Sequence, residues 1–142
     1  MSIDVGSSFP TISGIVDLEG KPAEVDHDGR VTMVEFWATW CSKSQEPMQQ
    51  TQQMMKENPS WKDKVRVVAV SLDSGVDAPK DRVESAEWDK LEHYQRGGKY
   101  FSEWNFRGMP HVAVIDKKGK SVSKGNPATL DVERTIKELV SA

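Results

Sequence analysis

The segment VTMVEFWATWCSKSQEPM, residues 31–48, carries the clearest indication of the fold of this chain. Val31 to Ala38 are mostly β-branched or aromatic with few polar side chains, which is typical of a strand buried on both faces. Residues 44–57 then favour a helix. The predicted inner face of this helix consists of Met48, Thr51 and Met55. Cys41, the only cysteine in the chain, therefore lies at a strand-to-helix junction.

Further elements follow on either side of this stretch. Residues 12–25 predict a β-hairpin with its turn at Glu19 and Gly20. Residues 65–73 and 111–116 predict two more apolar strands, and a tight turn at 117–120 leads into a short strand, SVSK. Helices are predicted from Pro79 to about Tyr94, before a Gly97-Gly98 break, and from about Thr129 to Val140. Their predicted inner positions are Val83, Ala86, Leu91 and Tyr94 in the first, and Val132, Ile136, Leu139 and Val140 in the second.

This order of elements predicts one α/β domain over residues 1–142. Strand–helix–strand units require parallel pairing, whereas the tight turn near Gly119 requires an antiparallel pair. A central mixed β-sheet with helices on both faces and an N-terminal β-hairpin satisfies both.

Composition excludes several classes of function. The chain has 142 residues, with 19 Lys and Arg against 22 Asp and Glu, and a net charge of −3. No basic stripe favours nucleic acid, and no apolar run of about 20 residues predicts a membrane span. A single cysteine suits a reducing compartment, and MSIDVGSSFP lacks the pattern of a secretion signal, so we expect a cytoplasmic protein.

Cys41 is the strongest candidate for chemistry. Buried free cysteines often act only as small apolar side chains. At a strand-to-helix junction, however, the free N–H groups of the helix start favour a thiolate, and the Lys43 ammonium adds a nearby positive charge. The position therefore favours a reactive thiol over a packing residue.

The residues around Cys41 resemble the thioredoxin-like superfamily, in which a strand ends in F-W-A-x-W-C-x-x-C. Phe36, Trp37, Ala38, Trp40 and Cys41 match this motif, and Ser44 stands at the second cysteine. Gly108-Met109-Pro110 matches the family's second landmark. The stretch WNFRGMPHVAVIDKKGK is similar to the branch that contains tryparedoxins, nucleoredoxins and bacterial cytochrome-maturation thioredoxins.

The resemblance implies a thioredoxin fold and a thiol–disulfide oxidoreductase, which carries electrons from a thiol reductant to protein disulfides. It implies that Cys41 attacks the disulfide and that Pro110 forms a cis peptide bond. The upstream reductant would be a reductase or a glutathione-type thiol; no cofactor is implied, and we expect a monomer. The implied substrate-binding residues are Trp40, Ser42, Lys43, Gly108, Met109 and Pro110.

Glu35 lies six residues before Cys41, within the apolar strand. By alternation it shares an inward face with Met33 and Trp37, where a carboxylate is costly unless it is paired or protonated. The resemblance implies that this acid exchanges a proton with the second sulfur. We expect burial to raise the Glu35 pKa; the alternative is an acid at a strand edge that reaches solvent or pairs with a lysine.

Ser44 limits the reaction, because a serine hydroxyl cannot resolve a mixed disulfide. Ser44 is either engineered or natural, as in monothiol C-x-x-S proteins. We favour an engineered replacement, since Glu35 and Gly108-Met109-Pro110, the rest of the dithiol site, are retained. The alternatives are a glutathione-linked monothiol protein, whose family usually carries T-V-P where this chain has Gly-Met-Pro, and a non-enzymatic peptide-binding module. A peroxiredoxin is disfavoured, because Ala38 replaces the expected threonine.

The remaining aromatic residues and histidines are assigned to structure. Trp40 is predicted at the surface, and Trp37, Trp61, Trp88 and Trp104 in the interior. His27, His93 and His111 lack zinc-ligand spacing, so no metal is assigned, and His111 is interpreted as packing rather than as a base. Pro47 departs from the family's proline position, so the helix either begins near Ser44 or kinks early.

Overall fold

The computed structural model describes residues 4–97 and 108–142. Within these residues, seven strands form one sheet: β1 (Ile12–Asp17), β2 (Pro22–Val25), β3 (Val31–Trp37), β4 (Val65–Ser71), β5 (Glu92–Gln95), β6 (His111–Ile115) and β7 (Ser121–Gly125). The α-helices of the same residues are α1 (Gln45–Glu57), α2 (Asp77–Ala86) and α3 (Val132–Ser141). Short 3-10 turns cover Ser42–Ser44, Pro59–Trp61 and Pro127–Thr129.

The sheet is mixed, as predicted, with the order β2-β1-β5-β4-β3-β6-β7. β3 pairs in parallel with β4, and β4 with β5. β6 and β7 are antiparallel additions on the other side of β3. The predicted N-terminal hairpin is also confirmed: β1 pairs with β2 through a turn at Gly20, whose φ of 82° suits glycine, and β1 joins the sheet beside β5.

The buried side chains of the central strands alternate between two apolar clusters. Val34 and Phe36 of β3 belong to the first cluster, and Met33 and Trp37 to the second. Every residue of β3 is buried. This is the burial that its continuous apolar sequence predicts, because a central strand has no face in contact with water.

All three described helices contribute apolar side chains to the second cluster, among them Met48 of α1, Val83 of α2 and Ile136 of α3. The chain order explains this for α1 and α2, because the steps from β3 to β4 and from β4 to β5 run in the same direction and right-handed crossovers place both helices on one face. Among residues 4–97 and 108–142 no helix covers the other face, so helices on both faces are not confirmed there.

The prediction of a helix from Pro79 to Tyr94 is wrong in its second half. The helix ends at Ala86, and Glu87 has the left-handed conformation, with φ of 57°. Residues 92–95, EHYQ, form β5, and Tyr94 pairs with Val70 rather than lying on a helix. This segment is too polar and too short to show a strand pattern, and its pairing with β1 and β4 overrides its local preference.

The helix after Cys41 begins at Gln45, so Pro47 lies in its first turn, where a missing N–H is tolerated. The structure therefore selects the first of the two alternatives left open for Pro47. The inner face of α1 differs slightly from the prediction: Met48 and Thr51 are buried, but Met54 is more buried than Met55.

The C-terminal elements follow the predicted order. Asp116 accepts hydrogen bonds from the backbone N–H groups of Lys118 and Lys120, both at 2.9 Å, and so forms the tight turn between β6 and β7. The last helix starts three residues later than predicted, after Asp131, whose side chain accepts from the N–H of Arg134. Its four predicted inner residues all belong to the second cluster or pack against it.

Two sequence predictions lie outside the described residues: the packing of Trp104 and the second glycine of the Gly97-Gly98 break. The described helices include none that is both long and apolar enough to cross a membrane.

Candidate active site

Cys41 lies on a tight turn just after β3. Its backbone N–H donates to the Ala38 carbonyl (3.1 Å), and its own carbonyl accepts from the Ser44 N–H (3.0 Å). Cys41 directly precedes the 3-10 turn Ser42–Ser44, which continues into α1. The thiol is partly exposed. Its predicted place at the strand-to-helix junction is thereby observed.

Ser44 is buried beneath this turn, with 1% of its surface exposed. Its hydroxyl donates to the Cys41 carbonyl (2.7 Å), lies 3.3 Å from the Ala38 carbonyl, and accepts from the Ala38 N–H (3.1 Å). The hydroxyl therefore holds the two ends of the turn together. A sulfur at this position would lie directly under the thiol-bearing residue.

Glu35 points into the second apolar cluster, as its alternation with Met33 and Trp37 predicts. Its neighbours across the sheet are Ala69 of β4 and Val112 of β6. The residue is 1% exposed, and neither carboxylate oxygen has a hydrogen-bond partner among the described residues. The alternative of an acid at a strand edge is therefore not observed, because β3 is central.

Burial raises the pKa of Glu35 from 4.5 to about 7, because the charged form is poorly solvated there. The Thr51 hydroxyl of α1 opposes part of this shift, although that hydroxyl donates to the Pro47 carbonyl (2.9 Å). A group with this pKa exchanges a proton readily near neutral pH. Glu35 is thus suited to proton transfer inside the protein.

Four of the six predicted substrate-binding residues are exposed, and Met109 and Pro110 are half-buried. Trp40 is 64% exposed, as predicted, and Ser42, Lys43 and Gly108 are also exposed. The Met109–Pro110 peptide bond is cis. A groove of about 340 Å³ joins the two sequence landmarks and is lined by Lys43, Glu46, Pro47, Gln50, Pro110, Asn126 and Ala128. The fold thereby brings Pro110 next to the segment that carries Cys41.

Sequence reasoning missed a buried acid beside the turn, Asp73. Its carboxylate accepts from the backbone N–H of Thr39 (3.0 Å) and from the Thr39 hydroxyl (2.5 Å). No local pattern in the sequence marks this residue, because its position depends on the parallel register of β3 and β4, in which Trp37 pairs with Ser71. The second residue after each strand, Thr39 and Asp73, therefore falls at the same edge of the sheet.

The tryptophans predicted in the interior are buried wherever the structure describes them. Trp37 packs edge-on against Trp88, with ring centroids 5.2 Å apart, and Trp61 is buried in the same cluster. These side chains form part of the core beneath α1. None of them lines the groove beside Lys43.

The histidines are structural in their contacts. His111 packs against the ring of Phe36, and burial lowers its pKa to about 4, so it is neutral at physiological pH. His93 bonds to the Trp88 carbonyl (2.6 Å), and His27 to the carbonyls of Arg30 and Asp116. The parts of the chain described by the structure contain no group of three or more potential ligands that could hold a metal ion.

Residues 29–121 match the family described as thioredoxin-like, so the chain belongs to the thioredoxin-like family. This range contains Glu35, Cys41, Ser44, Asp73 and Pro110. The fold and the family together confirm the thioredoxin-fold prediction.

The chain is also similar to individual known proteins. It is 26% identical to the thiol-disulfide oxidoreductase ResA of Bacillus thuringiensis subsp. konkukian, over 96% of this chain and 79% of that protein. A thiol:disulfide interchange protein from Bacteroides sp. is 25% identical, with a TM-score of 0.77 over 100% and 93% of the two chains. The thioredoxin domain of an oxidoreductase from Bacteroides vulgatus shares the fold, with a TM-score of 0.79, 22% identity, and 96% and 97% coverage. The chain is thus a homologue of thiol–disulfide oxidoreductases.

Proposed function

We propose that this protein carries out thiol–disulfide exchange through Cys41, and that its groove at Pro110 receives the disulfide-bearing segment of a protein substrate. The observation that carries the proposal is the partly exposed thiol on a turn beside a groove bounded by Lys43 and Pro110. The curated relatives support the activity and do not favour a glutathione-linked monothiol protein or a non-enzymatic peptide-binding module.

In the first step the Cys41 thiolate attacks one sulfur of the substrate disulfide. The substrate S–S bond breaks, a mixed disulfide forms on Cys41, and the other substrate sulfur leaves as a thiolate. Lys43 offers the nearby positive charge that favours the attacking anion.

The second step needs another thiol. Ser44 occupies the buried position from which an internal thiol would attack, and its hydroxyl does not form a disulfide. The mixed disulfide therefore remains until an external thiol attacks the Cys41 sulfur, so that the substrate leaves as a thiolate and the external thiol takes its place on Cys41. A second external thiol then releases the Cys41 thiolate, and the two external thiols leave as a disulfide. That Ser44 is an engineered replacement, and not a natural residue, stays a prediction.

Glu35 would serve a second sulfur at this position. Its carboxyl group, with a pKa of about 7, can accept the proton of a buried thiol and return it later. A thiol at position 44 would donate the proton, and the Glu35 carboxylate would accept it. With Ser44 at this position there is no thiol for Glu35 to deprotonate, and the buried acid only lowers the stability of the folded protein.

The test compares the present chain with Ser44→Cys in the reduction of insulin disulfides by dithiothreitol. We expect efficient catalysis from the substituted chain, where the introduced thiol resolves the mixed disulfide by forming an internal disulfide with Cys41 that dithiothreitol then reduces. The present chain depends on dithiothreitol itself to resolve its mixed disulfide and should be much slower. In a parallel incubation with insulin but without dithiothreitol, the present chain should accumulate a mixed disulfide, visible as a mass increase that dithiothreitol added afterwards removes. Cys41→Ser in both backgrounds is the control.

No catalysis by Ser44→Cys, together with no mixed disulfide on the present chain, would overturn the proposal. The monomeric state, the choice between a reductase and a small thiol as reductant, and the cytoplasmic location remain predictions of the sequence.

A further inference from the structure

Asp73 lies outside the groove and carries no role in the steps above, yet it holds the segment that bears the thiol. It is 5% exposed. One carboxylate oxygen accepts from the Thr39 hydroxyl (2.5 Å), and the other accepts from the Thr39 N–H (3.0 Å). Asp73 therefore holds both the backbone and the side chain of Thr39, which lies two residues before Cys41.

Asp73 is itself held in place by its neighbours. The Ser71 hydroxyl donates to the carboxylate (2.6 Å) and accepts from the Asp73 N–H (3.1 Å). The Gln95 side chain of β5 donates to the Asp73 carbonyl (2.5 Å). Ser71 of β4 therefore holds the Asp73 carboxylate and Gln95 of β5 holds its backbone, so Asp73 is fixed by two strands that do not contain the thiol.

The turn itself is fixed from three directions. Asp73 holds the N–H and the hydroxyl of Thr39, and the Gln45 side chain donates to the Thr39 carbonyl (2.9 Å). On the far side of the thiol, the Ser44 hydroxyl donates to the Cys41 carbonyl (2.7 Å). Trp40 and Cys41 therefore lie between two anchored residues.

We propose that Asp73 is a positioning residue for the Cys41 thiol: it fixes the turn from Thr39 to Cys41 so that the sulfur faces an incoming disulfide. This inference rests on the proposed exchange reaction of Cys41. Asp73 acts through Thr39, because its carboxylate oxygens accept from Thr39 and Ser71 and neither is bonded to the Cys41 backbone. A small displacement of a reacting group is enough to slow a reaction severely.

The electrostatic effect of Asp73 can be separated from its positioning effect. Removing a negative charge near a thiol favours the thiolate, so charge alone predicts that Asp73→Asn reacts faster near neutral pH. At high pH, where the thiol is fully ionised, charge alone predicts no change with an uncharged reagent. Positioning predicts a slower reaction in both conditions.

The experiment measures the rate of mixed-disulfide formation on Cys41 over a pH series, using a disulfide-bonded peptide and the uncharged reagent 4,4′-dithiodipyridine. The variants are Asp73→Asn, which changes the charge, and Thr39→Val, which removes the hydroxyl and leaves the charge. Thr39→Ser restores the hydroxyl. Asp81→Asn, at an exposed site on α2, is the matched control for loss of one carboxylate.

We expect Asp73→Asn to lower the high-pH rate with the peptide disulfide by about tenfold. Thr39→Val should lower this rate to a smaller extent, because the N–H contact with Asp73 remains. Thr39→Ser should retain the parent rate. The rate with the small reagent should fall less than the rate with the peptide, because the small reagent can approach the sulfur from more directions. Melting temperatures measured in parallel identify any variant that fails to fold, and Thr39→Val then carries the test.

Unchanged high-pH rates in both Asp73→Asn and Thr39→Val, with lowered melting temperatures, would show a structural role only and would overturn the positioning proposal. The exchange reaction would still stand if the parent chain reacts. A parent chain that reacts with neither disulfide, although iodoacetamide alkylates Cys41, overturns both proposals.

Discussion

Glu35 and Asp73 are two buried carboxylates on neighbouring strands, and their surroundings are opposite. Glu35 lies in the middle of β3 among apolar side chains and has no hydrogen-bond partner in the described parts of the chain. Asp73 follows the end of β4, and its carboxylate accepts three hydrogen bonds, two from Thr39 and one from Ser71. The middle of a buried strand offers no free donors, because its N–H groups pair with neighbouring strands, whereas a strand end does.

The comparison shows how one kind of side chain serves two purposes. The unpartnered acid is destabilised as an anion, so it holds a proton near neutral pH. The partnered acid is an acceptor for several donors and therefore acts as a structural tie. In both cases the backbone neighbourhood, and not the carboxylate itself, decides the role.

The largest expected effect is the loss of the partnered acid. Asp73→Ala removes the acceptor of the Thr39 N–H and of two hydroxyl groups, and should lower the free energy of unfolding by roughly 3 to 5 kcal/mol, because buried donors without acceptors are costly. Urea denaturation measures this change. Asp81→Ala, on the exposed face of α2, should have almost no effect. Equal stabilities of the two variants would contradict the stabilising role of the Asp73 hydrogen bonds.

Loss of the Glu35 carboxylate, the unpartnered acid, should instead raise the free energy of unfolding. The unfolded chain deprotonates Glu35 near pH 4.5 and the folded chain near pH 7, so this group lowers the free energy of unfolding as the pH rises through that interval. Glu35→Gln removes this loss, and above pH 7 it should be more stable than the parent by up to about 3 kcal/mol.

At a pH below 4.5, where Glu35 is protonated in both states, Glu35→Gln and the parent should be equally stable. Urea denaturation over a pH series gives the difference between the two curves, in which contributions from His93 and His111 cancel. A constant difference at every pH would mean that Glu35 does not titrate as described.

A smaller effect is expected from one partner of Asp73. Ser71→Ala removes two hydrogen bonds, the one that the hydroxyl donates to the carboxylate and the one that it accepts from the Asp73 N–H. The change should cost about 2 kcal/mol, at about 1 kcal/mol net for each hydrogen bond. Thermal unfolding can resolve this difference. Ser85→Ala on α2, whose exposed hydroxyl donates to the Arg82 carbonyl, is the matched control and should change stability less.

The smallest effect concerns the neighbour of Glu35. The Thr51 hydroxyl lowers the Glu35 pKa, so Thr51→Val should raise that pKa a little further. NMR titration of the Glu35 carboxyl carbon measures the midpoint. A midpoint that falls would show that the hydroxyl acts in the opposite direction, and an ordinary carboxylate midpoint in the parent chain would remove the proposed proton-transfer role.

Much of the site could be predicted from local sequence. The apolar run around Glu35 predicts a central strand, so the burial of its carboxyl follows from alternation alone. Cys41 and Ser44 were placed correctly because the strand and the helix that flank them both have clear periodicity. The cis peptide bond before Pro110 could be predicted only from the resemblance to the family, since an isolated proline before a strand has no distinctive pattern.

Other features could not be predicted because their cause is not local. β5 is a short polar segment that becomes a strand only by pairing with β1 and β4. Asp73 resembles any acid at the end of a strand until the parallel register of β3 and β4 brings it opposite Thr39. Hydrogen bonds between residues 34 positions apart leave no periodic signal in a sequence.

The class of fold, the position of the single thiol and the presence of Ser44 three residues after it can be read from the sequence alone. These follow from hydrophobic periodicity and residue identity, which act over a few neighbouring positions. Only the tertiary structure decided that Lys43 and Pro110 share a groove, that Glu35 has no partner and that Asp73 holds the thiol-bearing turn. Each of these depends on which strands become neighbours, and that choice is made by the packing of the whole sheet.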